Sequence, residues 1–573
     1  MKPVRLPASA TLALPRRVLF LLCLLYIIPG LIGRDPWKNA DASGFGVMWS
    51  MAHGSWQDWL WPNVAGLPMP QEGPLAFWLG ALMIKLSAPL LGDVLAARLS
   101  TAAAFLLGAA SVWYSAYHLG RRPEAQPLKL AFGGQPEAKD FGRTLADAAL
   151  LIYLACFGLL LNSHQTSSHP LLTALMGLLT YVSIRYADEP HWRHAVRLGL
   201  TLGALALTRG LLVPLTLWAA LLICLLWLRS TPLCLRHMAL TLCTMAAVLA
   251  LWLLPAHLLR PYGSTPLYAW LGWHNTQLAT PSGASLHYFL RYGIWFFWPA
   301  WALAGWAVYA WRRQHRALHI ALPLALMLPL AVLALCNPEL AESQLLPLLP
   351  PAAILAAFGL PALKRGALNA VDWFAMIILS MTAGLIWLHW LALQTGWPAQ
   401  LSKNMLKLAP GMQVQFDPLA FSAALAATLA WIGLVRWRLL RRPTVLWRAV
   451  VLSSAGVILC WLLLMSLFLQ WSNYRLSYAG VAQQIAAKLP PGACVESNVS
   501  PAQRASFAYL GGVRFSAFGG SECEWLLLRD SVRLRDEREL ASQWRTPSWQ
   551  LMWEGRRPAD RDERFRLYRR KPM

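Results

Sequence analysis

The stretch GRDPWKNADASGFG, residues 33 to 46, places Asp35, Lys38 and Asp41 directly after the first apolar run of the chain. Carboxylates and an amine are the side chains that move protons or hold charged groups. They also have plainer uses. Asp41 precedes ASGFGVMWSMAHGSW and can cap that helix, and Asp35 precedes a proline and can open a turn. Downstream, Glu72 stands in QEGPL, where solvation accounts for it equally well. Arg209, in TRG, falls between two short apolar segments. An arginine left in lipid costs about 2.5 kcal/mol or more, unless it snorkels or packs on carbonyls. His169, with His164 and Gln165 beside it in SHQTSSHPLL, offers an imidazole that titrates near neutral pH, or one that packs a helix end. The nine cysteines include no C-x-x-C and no Cys/His cluster at zinc spacing.

The elements that must position these residues are membrane helices. Of 573 residues, 57% are hydrophobic and 13% charged, with a mean hydropathy of +0.44. A soluble domain carries roughly twice that charged share. Apolar runs of bilayer length recur, so the chain reads as a polytopic α-helical membrane protein. Its net charge of +24 does not signal nucleic acid, because most Lys and Arg sit in short loops between apolar runs. That is the positive-inside pattern, which sets orientation. The first run, VLFLLCLLYIIPGLIG, follows Arg16 and Arg17 without a small-residue cleavage site and reads as a retained signal anchor.

Basic loops at the N-terminus, at 118–143, 185–197 and 229–236, and those beginning at 311, 364 and 436, belong on the cytoplasmic side. Thirteen crossings fit between them, near 18–33, 97–117, 144–162, 169–186, 196–209, 211–228, 237–257, 292–311, 317–336, 344–361, 369–393, 418–437 and 448–470. The count requires 73–92 to lie in or dip into the outer interface. Residues 34–96 then form one long outer loop, and 1–470 is a membrane domain. No internal repeat of the kind found in inverted-repeat transporters is visible.

From Trp471 the chain turns polar. Ser500, Pro501 and Gln503 make a capping box with proline at the first helical position, and Gly511 and Gly512 supply the stop. ACVESN, GVRFSAF, CEWLLLRD, SWQLMWEG and RFRLYRR read as strands. Residues 471–573 are expected to form a small α/β domain on the periplasmic side, where Cys494 and Cys523 are free to pair.

Several stretches in order, DASGFGVMWSMAHGSWQDWLWPNVAGLPMPQEGPLAFWLGALMIKL, AARLSTAAAFLLGAASVWYSAYHLGRR, LGLTLGALALTRGLLVPL and QLLPLLPPAAILAA, cover roughly the first 360 residues. Together they resemble the GT-C membrane glycosyltransferases of the protein O-mannosyltransferase and lipid A aminoarabinose transferase type. The resemblance implies a GT-C fold, an undecaprenyl-phosphate-linked sugar as donor, and a glycolipid, glycan or protein as acceptor. It also implies that the acid at Asp41 accepts the proton of the acceptor hydroxyl or orients it. Arg209, Lys38 and Arg260 become candidates for the donor phosphate. Asp35, Glu72, His169, Gln165 and Asn275, the last in WLGWHNTQLATPSG, become acceptor-side or supporting residues. No metal or other cofactor is implied. The usual acid-Lys-Pro-Pro-Leu motif stands here as Gln71-Glu72-Gly73-Pro74-Leu75, without its lysine, and His169 stands where the family often has aspartate.

The expected function is therefore an inverting glycosyltransferase of the bacterial inner membrane, working at its periplasmic face. The alternatives are a lipid-sugar flippase or transporter, and a degenerate transferase acting as a scaffold.

Overall fold

The computed structural model describes residues 4–129, 134–229, 232–259, 265–441, 445–516, 523–531, 549–560 and 562–571. Arg260, one of the expected cations, lies outside the described residues.

Helices make up most of the chain. α1 (Arg16–Ile27) is followed by a turn and by α2 (Ala40–His53), the helix that Asp41 opens. A short hairpin of β1 (Asn63–Val64) and β2 (Leu67–Pro68) leads to α3 (Leu75–Leu91). Then come α4 (Asp93–Arg121), α5 (Ala138–Ala155), α6 (Phe157–Asn162), α7 (His169–Asp188), α8 (Trp192–Arg209) and α9 (Leu212–Arg229). The middle of the chain holds α10 (Pro232–Leu259), α11 (Thr265–Asn275), α12 (Gly283–Phe296), α13 (Ala300–Ala310), α14 (Leu318–Cys336) and α15 (Leu349–Ala357). α16 (Arg365–Thr395), α17 (Ala399–Leu408), α18 (Pro418–Arg441) and α19 (Arg448–Leu467) complete the apolar part.

Among the described residues, eight helical segments are long and apolar enough to cross a membrane: α4, α7, α10, α14, Glu342–Ala362, Gly366–Thr395, Pro418–Leu440 and α19. The crossings expected at 18–33, 144–162, 196–209, 211–228 and 292–311 fall on shorter or divided helices. α5 and α6 part at Cys156, and α12 and α13 part at Phe297 to Pro299, where the chain enters a proline that cannot continue a helix.

The two ends of the bundle differ. At the basic end, Arg122 after α4 pairs with Asp188 of α7, the Leu14 N–H donates to Asp147 of α5 at 2.7 Å, and the Trp447 indole donates to the Leu12 carbonyl at 2.8 Å. At the opposite end, the α1–α2 turn, the start of α4, the α6–α7 turn and the last turn of α8 converge. Both ends of α3 lie there too. Gly73 donates to the Thr208 carbonyl at 3.1 Å, while α4, which follows α3 directly, brings Arg98 to Asp41. A helix so placed runs across that end of the bundle and does not pass through it. Its inner face is Ala76, Phe77, Gly80, Ala81 and Ile84, and Leu86 and Leu90 are exposed.

The tail follows α19 through α20 (Leu469–Leu476) and α21 (Ala479–Ala486). β3 (Cys494–Ser497), α22 (Pro501–Gly511), β4 (Arg514–Phe515), β5 (Trp525–Ser531), β6 (Trp549–Gly555) and β7 (Glu563–Arg570) build a sheet in the order β4-β3-β5-β7-β6. β3 runs parallel to β4 and β5, and the other pairs are antiparallel. The capping box forms, with the Ser500 N–H on Gln503 Oε1 at 2.8 Å, and Gly512 takes the left-handed conformation at φ 62°. Cys494 and Cys523 are disulfide-bonded. The tail is fastened to the first loop. α22 lies on α2, Ala505 fits against Gly46, and the Arg504 guanidinium donates to the Ala65 carbonyl at 2.8 and 3.1 Å.

Candidate active site

Asp41 is 2% exposed, and both of its oxygens are engaged. Oδ1 accepts from the Thr166 N–H at 2.8 Å and lies 2.9 Å from the Thr166 hydroxyl. Oδ2 accepts from the Trp37 N–H at 3.1 Å and from Arg98 at 3.4 Å, and Arg34 reaches the carboxylate at 3.2 Å. Burial pushes the Asp41 carboxyl up, but Arg34, Arg98 and the two N–H donors outweigh it and hold it below the usual carboxylate range. The expected base is thus a buried anion whose lone pairs are already taken. Its geometry is that of an organiser, tying the α1–α2 turn, α4 and the α6–α7 turn together.

The neighbouring carboxylate is different. Asp35 is half-buried, its carbonyl accepts from Arg98 at 3.0 Å and its N–H donates to Asn473 Oδ1 at 3.1 Å. Among the described residues, no hydrogen bond or ion pair is made by its carboxylate. Lys38 is half-buried as well, with its backbone N–H on the Leu476 carbonyl at 2.9 Å.

The α6–α7 turn, residues 163 to 168, joins this cluster to a second one. Thr166 holds Asp41, and His164, buried and pushed down to about 4 by desolvation, sits against the carbonyls of Tyr26 and Leu160. The Gln165 carbonyl accepts from Thr101 at 3.3 Å, and the residue itself is half-exposed. Three residues beyond Thr166, His169 Nε2 lies 2.8 Å from Arg209 Nη1. A guanidinium can only donate, so Nε2 accepts and the ring hydrogen sits on Nδ1, facing Ser167 Oγ at 3.1 Å. His169 is therefore an acceptor that orients Arg209.

Arg209 ends α8 and lies 3.7 Å from Glu72. Burial raises the Glu72 carboxyl above its ordinary range, with Arg209 offsetting part of the shift. The missing lysine has a steric counterpart. A Cβ on Gly73 would meet the Leu207 carbonyl oxygen at 2.0 Å, because the loop lies directly on the last turn of α8. The cation at this place comes from α8.

Arg209 also borders a small pocket of about 50 Å3. Its polar rim is Gln277, Asn337, Ser343 and Gln344, and its walls are apolar residues of α7, α9 and α14 with Trp273. Asn337 is 5% exposed and donates to Gln277 Oε1 at 3.0 Å. Asn275, the expected residue of this loop, is exposed, and its neighbours Trp273 and Gln277 line the pocket instead. Trp273 and Asn275, two apart on an 11-residue helix, face different ways, and Gln277 follows the helix end. Arg34, Arg98, Thr166, Gln277 and Asn337 carried no assigned role in the sequence. Among the described residues, no three His, Cys, Asp or Glu side chains are grouped to hold a metal ion.

No protein-family model matches the chain, and no curated protein matches it in sequence. Its structure is similar to that of ArnT from Cupriavidus metallidurans bound to undecaprenyl phosphate, with a TM-score of 0.67 at 17% identity over 96% of this chain and 97% of that one. The apo state of ArnT from the same organism gives 0.65 at 16% identity over the same shares. The chain has the GT-C glycosyltransferase fold in the form seen in ArnT, as a multi-pass membrane protein with a small C-terminal sheet domain.

Proposed function

We propose that the protein is an inverting glycosyltransferase that takes a sugar from undecaprenyl phosphate and places it on a glycolipid, glycan or protein hydroxyl at the periplasmic face. One observation carries the reading: Arg209, aimed by His169, stands at the head of an apolar-walled pocket. Apolar walls beside a fixed cation suit the start of a lipid tail and its phosphate. The likeness to ArnT, crystallised with undecaprenyl phosphate, supports it.

In the reaction, the acceptor oxygen bonds to the anomeric carbon from the side opposite the phosphate. The carbon–oxygen bond to the phosphate breaks and its electron pair leaves on the phosphate, whose charge Arg209 meets. Asp35 takes the acceptor proton, because its carboxylate is the one left open, while Asp41 fixes the scaffold around it. The cation's task falls to Arg209, and metal independence is part of this proposal.

The test is mass spectrometry of membrane lipids and surface glycans from cells carrying wild type, Asp35→Asn, Arg209→Gln or no protein. Both variants are expected to accumulate one polyprenyl-phosphate sugar and lose one glycan modification, as the deletion does. Arg209→Gln should lower turnover by about 10²–10³. If both variants match wild type while the deletion differs, the transferase reading fails.

A further inference from the structure

A second polar cavity lies at the other end of the molecule. It opens between the start of α16, the end of α18 and the start of α19, and its volume is about 380 Å3. α19 separates it from the clusters described above by twenty residues, about 30 Å of helix. Its chemistry resides in Asn369, Asp372, Arg438 and Arg448. Asp372 and Arg438 are 5% and 8% exposed and pair through Oδ2 and Nη2. Yet Asp372 Oδ1 and Arg438 Nε are buried without a hydrogen-bond partner among the described residues. A buried donor and a buried acceptor left open are costly, and a ligand that satisfies both relieves them.

Among the described lining residues two guanidiniums, Arg438 and Arg448, accompany one carboxylate, Asp372. Its rim is apolar and exposed: Trp373 is 53% and Leu439 47% exposed, and the adjoining Phe374 and Leu440 are exposed too. A ligand must therefore be an amphiphile with an anionic head. We propose that this cavity binds the phosphodiester headgroup of an anionic, hydroxyl-bearing membrane phospholipid. Arg438 Nε and Arg448 hold the phosphate, a headgroup hydroxyl donates to Asp372 Oδ1, and the acyl chains lie along the outer faces of α16 and α18. Basic pockets between membrane helices recognise lipid headgroups in this way. Inorganic phosphate shares the head chemistry and lacks the chains.

The experiment uses the full chain, purified in detergent, delipidated and titrated with phosphatidylglycerol or phosphatidylcholine, with bound lipid counted by native mass spectrometry. Wild type is expected to retain one phosphatidylglycerol with a preference of roughly five-fold or more, the discrimination one guanidinium supplies near a membrane surface. The pair Asp372→Asn and Arg438→Gln should abolish the preference. Asn369→Trp, at an exposed position on the rim, should abolish it by filling the mouth, and it keeps the test alive should the paired variant fail to fold. Excess inorganic phosphate should leave the lipid in place. Equal retention of the two lipids, an unchanged preference in a folded Asn369→Trp chain, or displacement of the lipid by phosphate alone would each overturn the assignment.

Discussion

Asp41→Asn keeps the shape of the side chain but leaves Arg34 and Arg98 buried without their counter-ion. Removing one partner of a buried pair costs about 3–5 kcal/mol. The purified variant should melt well below wild type, a loss that Asp35→Asn should not share. The pH dependence has a fixed sign. The folded carboxyl is held below its ordinary value, so its contribution is whole above about pH 4 and disappears as the pH falls through the lower folded value. Thermal unfolding against pH should show this acid limb in wild type and a flatter one in Asp41→Asn. A matching limb in both would remove Asp41 from its organising role. The sequence marked Asp41 because an acid opens an apolar helix. Nothing local separates a carboxylate that reacts from one that organises, since Arg98 and Thr166 arrive from 57 and 125 residues away. Arg98, an arginine near the start of a long apolar helix, was the readable clue to that network.

At the scale of elements, the decisive contact is that of the 69–74 loop with the end of α8. Gly73→Ala would push a methyl group into the Leu207 carbonyl, backbone that cannot turn aside. Overpacking of this kind costs about 1–3 kcal/mol, and here it also displaces the turn carrying Arg209. Melting temperature and turnover should fall together in Gly73→Ala, and an unchanged pair would mean that the loop yields freely. Local signals explain which elements were legible. The capping box, its proline and its glycine stop located α22, and alternating runs located the strands, because those cues lie within a few residues. The divided helices α5–α6 and α12–α13 escaped, because hydropathy averages across a break that proline and packing impose.

For the whole molecule, the proposed orientation rests on charge and on covalent chemistry. The basic segments after α4 and α7 meet at one end through Arg122 and Asp188, and the tail, with its Cys494–Cys523 bond, attaches at the other. Disulfides persist outside the cytosol. In intact cells, a membrane-impermeant thiol reagent should label Gln550→Cys in the tail, and should reach His315→Cys only after the membrane is opened. The reverse pattern would invert the proposed topology.

Asn473 carries a consequence for the protein's manufacture. It accepts from the Asp35 N–H and the Trp37 indole, and donates to the Gly33 carbonyl. These partners lie 438, 436 and 440 residues earlier in the chain. At about 5–20 residues per second, the ribosome takes roughly 20–90 s to reach Asn473 after it has made the first loop. Until then the loop bearing Asp35 has Arg98 to hold it but lacks its tether to the tail, so that tether closes only when synthesis is nearly done.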